Sequence, residues 1–209
     1  MNKREQVGAR FVWYIDPATP AKWVPWLIKG VEMWEPVFRA AGFSHAITAR
    51  LPAADETGFD LDDSRFSTIR WLPSTIENAY GPRLSDPRSG EIMNANIGFY
   101  HNISSLVEAW YWTQAGASDP RARRLPLPDS LMGLMIAYVA THEVGHSLGL
   151  RHNMIASTYY PVDSLRSKSF TCRVQATSPS IMDYARYNYV AQPGDSACVM
   201  QGIGPYDYF

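Results

Sequence analysis

The 209-residue sequence lacks an excess of charge of either sign and has no long apolar run. Its 19 basic and 20 acidic side chains leave a formal net charge of −1. Because nucleic-acid-binding proteins carry clustered positive charge, this balance argues against a nucleic-acid partner. The longest apolar run covers residues 131–140, whereas a membrane-spanning helix needs about 20 apolar residues. We therefore expect no membrane span in this chain, and its oligomeric state is left open.

Residues 1–10 are polar and lack the apolar core of a secretory signal. A strand-like segment follows them at once, which suggests a domain excised from a longer protein. Hydrophobic residues make up 46% of the chain, enough for a folded core. We expect one domain over residues 1–209, with an N-terminal subdomain at about 7–149 and a C-terminal subdomain at about 150–209.

Cysteine is also scarce, since the chain contains only Cys172 and Cys198. Two cysteines make no spacing pattern, so two free thiols and one disulfide remain equally open. A disulfide would suit a protein that is exported from the cytoplasm.

Strand and helix patterns alternate in the first third of the chain. An aromatic and β-branched run at Phe11–Ile15 predicts a buried strand. Apolar residues at helical spacing predict a helix over residues 25–41, kinked at Pro36 because proline has no amide hydrogen. Residues 43–51 and 66–72 return to strand patterns. The strand–helix–strand order favours a parallel, right-handed unit.

The rest of the chain contains one more strand pattern, a long helix and an irregular tail. Residues 91–100 predict a strand, and the polar residues Asn94 and Asn96 within it suit the edge of a sheet. A helix is expected over residues 131–148. Residues 151–209 are rich in Ser, Tyr, Pro and Gly, and an irregular stretch of this length argues for a functional segment.

The densest cluster of reactive residues lies at residues 142–152, which read HEVGHSLGLRH. Three of the five histidines of the chain fall in this window. His142 and His146 are four residues apart, so they share one face of a helix, and His152 follows. Three imidazoles with this spacing suit a zinc ion, because they leave one tetrahedral position open for water.

Two residues between the histidines have predicted tasks of their own. Glu143 follows His142 directly, so its carboxylate lies beside the metal and can accept a proton from water. Gly149 ends the helix, because the chain must turn to bring His152 back to the metal. Glycine adopts the left-handed conformation of such a turn without a Cβ penalty.

Two alternative interpretations of the motif predict no catalysis. In the first, the histidines belong to an ordinary core helix that binds no metal. In the second, the zinc site is structural or inactive. Five positions that match a spaced pattern argue against the first alternative, and Glu143, which has no evident role as a structural ligand, argues against the second.

The motif resembles the extended zinc signature of the metzincin metallopeptidases. Residues 180–184, which read SIMDY, resemble the methionine turn of that clan. The resemblance implies that Met182 packs beneath the three histidines. In the astacin and serralysin branches, a tyrosine at the position of Tyr184 binds zinc or stabilises the tetrahedral intermediate. Tyr184 therefore has either that catalytic role or the role of a packed aromatic residue in the turn.

The remainder of the chain is similar to the catalytic domain of a poorly characterised family of large bacterial zinc-dependent metalloproteases. The resemblance implies an α+β fold: a twisted, mostly parallel sheet with an antiparallel edge strand, packed on an active-site helix, and an irregular C-terminal subdomain. Residues 91–100 are our candidate for that edge strand. Asn94, Ala95 and Asn96 would then bind an extended peptide by strand addition.

The sequence thus predicts a Zn²⁺-dependent endopeptidase that acts on a protein or peptide, with Glu143 as the general base. The alternatives are a zinc hydrolase of a non-protein amide, such as a cell-wall peptide, and a non-catalytic zinc-containing binding module. We expect an extracytoplasmic location in a bacterium, either secreted, periplasmic or at the cell surface.

Overall fold

The computed structural model of the protein describes residues 11–209. The polar segment at residues 1–10, and with it the expected start of the N-terminal subdomain at residue 7, lies outside the described residues. Within residues 11–209, no helix combines the length and the apolar character that crossing a membrane requires.

A six-stranded sheet forms the frame of the N-terminal part. Its strands are β1 (Phe11–Ile15), β2 (Ile47–Arg50), β3 (Ser67–Leu72), β4 (Ala79–Tyr80), β5 (Arg83–Ser85) and β6 (Ile92–Tyr100). The order is β2-β1-β3-β6-β4, and β5 also pairs with β6. β1, β2, β3 and β6 run parallel, whereas β4 and β5 are antiparallel to β6. This mostly parallel sheet, with helices packed on it, confirms the predicted α+β class.

The prediction that residues 91–100 form the antiparallel edge strand is wrong. β6 runs parallel to β3 on one side and is covered on its other side by β4 and β5. The antiparallel edge therefore consists of two short strands, β4 and β5, that precede β6 in the chain. They lie in a stretch whose density of turn-forming residues hides any strand pattern.

The two asparagines that suggested a sheet edge form hydrogen bonds with neighbouring segments instead. Asn94 is buried, and its side-chain amide donates hydrogen bonds to the carbonyls of Ser64 and Phe66, both at 2.8 Å. Asn96 accepts a hydrogen bond of 2.9 Å from the Thr68 hydroxyl on β3. A polar residue in an interior strand is stable when its hydrogen bonds are satisfied within the protein.

Four helices accompany the sheet: α1 (Val24–Glu32), α2 (Glu35–Ala40), α3 (Ile103–Ala115) and α4 (Asp129–Ser147). The predicted single helix over residues 25–41 is wrong, because the chain breaks between α1 and α2. Pro36 stands in the first turn of α2, where its missing amide hydrogen costs no helical hydrogen bond. α4 carries His142 and His146, is buried on almost every side and packs against α1.

Residues 150–209 contain short helical segments joined by irregular chain, as predicted. The two α-helices are α5 (Val162–Arg166) and α6 (Lys168–Val174), and 3-10 turns occupy Met154–Thr158 and Pro205–Tyr208. Cys172 on α6 forms a disulfide with Cys198. The structure therefore decides between the two alternatives that the cysteine count left open.

Candidate metal centre

The three predicted ligands converge at the end of α4. The Nε2 atom of His152 lies 3.3 Å from Nε2 of His142 and 3.0 Å from Nε2 of His146. One ligand atom of each histidine lies within 4.8 Å of the others, so this group could hold a metal ion. The structure thus brings together the three side chains that the spacing selected.

Main-chain carbonyls orient two of the three imidazole rings. Nδ1 of His142 lies 2.8 Å from the carbonyl of Ile181, and Nδ1 of His146 lies 3.0 Å from the carbonyl of Leu150. A carbonyl oxygen only accepts, so Nδ1 carries the proton in each pair and Nε2 keeps a free lone pair. These contacts select the tautomer that a metal ligand needs.

Burial also favours the neutral form of two imidazoles, those of His142 and His152. Chiefly burial, together with the neighbouring His146 and His152, lowers the pKa of His142 to about 4, although the hydrogen bond to the Ile181 carbonyl opposes this shift. Desolvation, with a contribution from His146, also lowers the pKa of His152. Because a metal binds the neutral imidazole, protons compete weakly for these ligands at neutral pH.

The turn after α4 has the conformation that the sequence predicts. Gly149 has φ +107°, in the left-handed region, and its amide donates to the carbonyl of His146. The amide of Leu150 donates to the carbonyl of Gly145, which closes the helix end. The chain then reverses direction, and His152 returns to face the helix.

Met182 lies directly against α4, the helix that carries His142 and His146. It is buried, and a Cβ at Gly145 would overlap its sulfur atom. Glycine between the two helical histidines is therefore required for this close packing. Ile181, the residue before Met182, provides the carbonyl that orients His142.

A buried carboxylate holds the turn that contains Met182. Asp207, near the end of the chain, accepts hydrogen bonds from the Ser180 hydroxyl at 2.6 Å and from the amides of Ile181 at 2.7 Å and Gly204 at 2.8 Å. Asp207 thereby links the C-terminal residues to the carbonyl that orients His142. Its sequence neighbourhood gives no pattern that would have indicated this role.

Glu143 is buried beside the triad, with 8% of its surface exposed. Burial raises the pKa of its carboxyl group to about 7. A carboxyl group with a pKa near neutrality can both accept and release a proton at neutral pH. Its position and its protonation behaviour therefore suit a proton carrier.

The ring of Tyr184 lies close to the rings of His142 and His152. Its ring centroid is 4.4 Å from that of His152 and 5.6 Å from that of His142, and half of its surface is exposed. Desolvation, followed by the negative charge of Glu143, raises the pKa of its hydroxyl group. The hydroxyl group therefore remains protonated at neutral pH and can donate a hydrogen bond.

An open groove of about 780 Å³ runs between the triad and the antiparallel edge strands. Gly81, Pro82 and Arg83 line one side, and His146 and His152 line the other. The Arg83 guanidinium donates to the carbonyl of His146 at 3.2 Å. Gly81 and Arg83 were not predicted as site residues, because their only sequence signal is a turn-rich composition.

The predicted substrate residues Asn94, Ala95 and Asn96 do not line this groove. β5 pairs with β6 in the register Arg83↔Ala95 and Leu84↔Asn94. The edge that was expected at residues 94–96 is thus already covered by the chain itself, and the prediction that these three residues bind substrate is corrected accordingly.

Comparison with known families identifies the C-terminal 86 residues. Residues 124–209 match a family model that is described as Met-zincin. The matched segment contains the three histidines, Glu143 and Met182, and the match confirms the resemblance that the motif suggested. Comparisons with curated proteins and with solved structures find no match.

Proposed function

Residues 124–209 match a family model that is described as Met-zincin, and from this premise we propose that the protein is a zinc-dependent endopeptidase. The observation that supports it most is the convergence of three Nε2 lone pairs beside a buried carboxylate. The proposal goes beyond the family description in naming the metal, the reaction and the role of each residue.

The spacing of the histidine nitrogens fits zinc. Zinc binds imidazole nitrogen at about 2.0–2.1 Å in a tetrahedron, and two ligands of a regular tetrahedron of that size are about 3.3 Å apart. The Nε2 separations of 3.3 Å and 3.0 Å lie close to this value. His142, His146 and His152 would hold the ion.

Bound zinc supplies Lewis acidity, which polarises a carbonyl group and acidifies water. Glu143 accepts the proton of the attacking water and transfers it to the departing amine nitrogen. Tyr184 donates its hydroxyl hydrogen to the oxygen that becomes negative as the carbonyl carbon turns tetrahedral. Met182 and the turn around it, which correspond to a methionine turn, keep the ligand rings in place.

We propose that the peptide substrate lies extended along the antiparallel edge, in the groove beside Gly81, Pro82 and Arg83. Antiparallel edge strands bind extended peptides through main-chain hydrogen bonds. This assignment replaces residues 94–96 and keeps strand addition as the binding mode. An extracytoplasmic location is supported by the Cys172–Cys198 disulfide.

The replacement Glu143→Gln tests the mechanism. We expect the variant to retain zinc, as measured by elemental analysis. Its rate of peptide cleavage should fall about 10²- to 10⁴-fold, which is the usual contribution of a general base. The exposed Glu91→Gln serves as the matched control and keeps full activity. His152→Ala should lose zinc as well as activity.

The substrates in this test separate the proposed function from its alternatives. A peptide library and a peptidoglycan digest are offered in parallel to the zinc-loaded protein. Cleavage of the digest alone would indicate a hydrolase of cell-wall amides, and zinc binding without turnover of either would indicate a binding module. Undiminished peptide cleavage by Glu143→Gln would contradict the role of Glu143.

A further inference from the structure

A small cavity opens beside the metal-binding triad, on the side of His142 and Glu143. Its volume is about 170 Å³, well below the roughly 300–1,000 Å³ of sites for drug-sized ligands. A space of this size suits one side chain. Tyr184 and Arg186 from the segment after Met182 line it, together with residues of α3 and α4.

Arg186 lines this cavity and brings a permanent positive charge to it, next to His142 and Glu143. Its guanidinium group lies 3.8 Å from the ring centroid of Trp110 and 5.8 Å from that of Tyr184. Stacking on an indole ring restrains the guanidinium group and leaves its N–H groups available in the ring plane.

The charge of Arg186 has no acidic partner within residues 11–209. Seven other arginines form ion pairs with carboxylates, namely residues 39, 50, 65, 70, 88, 121 and 166. Glu143 lines the same cavity but forms no ion pair with Arg186. A half-buried guanidinium group without a carboxylate is a ready site for an anion.

The backbone at Arg186 is held in an unusual conformation. Its φ is +55°, in the left-handed backbone region that residues other than glycine and asparagine rarely adopt. Such strain persists where the surrounding structure imposes it, and it concentrates at functional sites. This observation is independent of the cavity and of the unpaired charge.

The surroundings of the cavity strengthen the attraction of Arg186 for an anion. Ile103, Leu106 and Val139 contribute apolar surface. Charges attract each other more strongly beside apolar surface than in open water, because the effective dielectric constant is lower. An uncharged side chain would fit the space but would gain nothing from the guanidinium group.

We propose that this cavity is the subsite for the residue that follows the scissile bond, and that Arg186 selects a carboxylate there. The assignment to that side rests on the proposed function, in which Glu143 delivers a proton to the leaving nitrogen. Since Glu143 lines the cavity, the cavity lies on the leaving-group side. The carboxylate comes from an aspartate or glutamate side chain or from the C-terminus of the substrate.

Binding of zinc-directed inhibitors tests this inference without any turnover. The probes are succinyl hydroxamates that carry a carboxymethyl, a carbamoylmethyl or an isobutyl group on the carbon one methylene away from the hydroxamate, the position that stands for the side chain of the residue after the scissile bond. We expect the carboxymethyl compound to bind the zinc-loaded protein at least tenfold more tightly than its uncharged isostere in calorimetric titrations. Arg186→Gln should abolish this preference, and Arg186→Lys should retain part of it.

A matched control separates charge selection from a general effect on folding. Arg173 also stacks on an aromatic ring, with its guanidinium carbon 5.5 Å from the Phe170 centroid, but it lies on α6 and does not line the cavity. Arg173→Gln should therefore leave the preference unchanged. Peptides with Asp or Asn after the scissile bond, and short peptides with a free or amidated C-terminus, identify which carboxylate is selected.

Each outcome decides a separate question. Equal binding of the three hydroxamates, or no binding of any, overturns the assignment of Arg186. Cleavage of peptides without preference for a carboxylate would do the same while leaving the proposed endopeptidase function intact. Tenfold selective binding without cleavage of any peptide supports the carboxylate subsite and contradicts the proposed function.

Discussion

Residues 11–149 and residues 150–209 contribute to one candidate metal centre but are stabilised by different interactions. In the first region, strands pair along continuous ladders, and apolar residues such as Ile69 and Phe99 are fully buried between sheet and helices. In the second region, which the structure describes throughout, the one β-pairing is the bridge between Tyr187 and Met200. A region with so little strand pairing needs other hydrogen-bond partners for its main-chain N–H and C=O groups.

Buried polar side chains supply those hydrogen bonds in residues 150–209. The Gln201 side chain accepts from the amides of Thr177 and Ser178 at 2.6 Å and 3.0 Å, and donates to the carbonyls of Ser178 and Ser180 at 3.2 Å and 3.0 Å. Asp207 holds the turn at residues 180–182 in the same manner. The candidate ligands on α4 are thus positioned by regular secondary structure, whereas the turn beneath them depends on a few individual side chains.

Removal of the Cys172–Cys198 disulfide should have the largest effect on stability. The bridge closes a loop with a sequence separation of 26 residues, and the chain-entropy relation gives about 3.5 kcal/mol for that length. We expect the double replacement of both cysteines by alanine to lower the free energy of unfolding by about this amount. Chemical denaturation measures the change.

Hydrogen exchange shows where the disulfide acts. Amide protection should fall mainly within residues 150–209 and remain high in β1, β3 and β6. An equal loss of protection in the sheet would contradict the distinction between the two regions.

The replacement Asp207→Ala should have the next largest effect. It leaves the amides of Ile181 and Gly204 without their acceptor, at a cost of about 3 kcal/mol in the free energy of unfolding. Burial raises the pKa of Asp207, so the relief of its desolvation offsets part of the loss. Because the Ile181 carbonyl orients His142, zinc affinity should also fall about tenfold.

Denaturant unfolding and competition with a chelator measure these two effects of Asp207→Ala. The exposed Asp163→Ala, in the same region, is the control and should stay within about 0.5 kcal/mol of the parent protein. Unchanged zinc affinity in a destabilised Asp207→Ala would show that the turn and the metal ligands are independent.

The smallest effect concerns an ion pair on the sheet side. Glu56 accepts hydrogen bonds from the Arg50 guanidinium at 2.6 Å and 2.7 Å, and chiefly this contact lowers the pKa of Glu56 to about 2. A lowered carboxyl pKa stabilises the folded state above the unfolded pKa of 4.5, and this contribution disappears as the pH falls through about 2.

Glu56→Gln should accordingly lower the melting temperature slightly at pH 7, and the difference from the parent protein should shrink between pH 4.5 and pH 2. Thermal scans at several pH values test this, with the exposed Glu91→Gln as the control. A melting-temperature difference that grows on acidification would contradict the stabilising effect assigned to the Glu56 carboxylate.

Predictions from the sequence were most accurate for segments in which one local pattern dominates. The aromatic and β-branched run at Phe11–Ile15 forms the strand with the same bounds, because β-branched and aromatic side chains suit a pleated, buried surface. The spacing of His142, His146 and His152 and the turn at Gly149 likewise depend on helical geometry over eleven residues. The structure places all three imidazoles together, as that geometry requires.

Prediction was less accurate where distant segments compete for one partner. Pro36 looked like a kink inside one helix, yet the chain begins a new helix just before it. Residues 91–100 looked like an edge, yet the short strands β4 and β5 cover that side. Neither outcome follows from a local pattern, because strand neighbours depend on which segments pack together in three dimensions.

The sequence alone determined the histidine motif and the irregular character of the C-terminal residues, since each depends on spacing or composition within a short window. The resemblance that the motif carries implied the mostly parallel α+β class. The tertiary structure alone decided that Cys172 joins Cys198, that Asp207 holds the turn beneath His142, and that Arg186 faces the cavity beside Glu143. These contacts join residues 26 or more positions apart, and chain folding, rather than local propensity, brings such residues together.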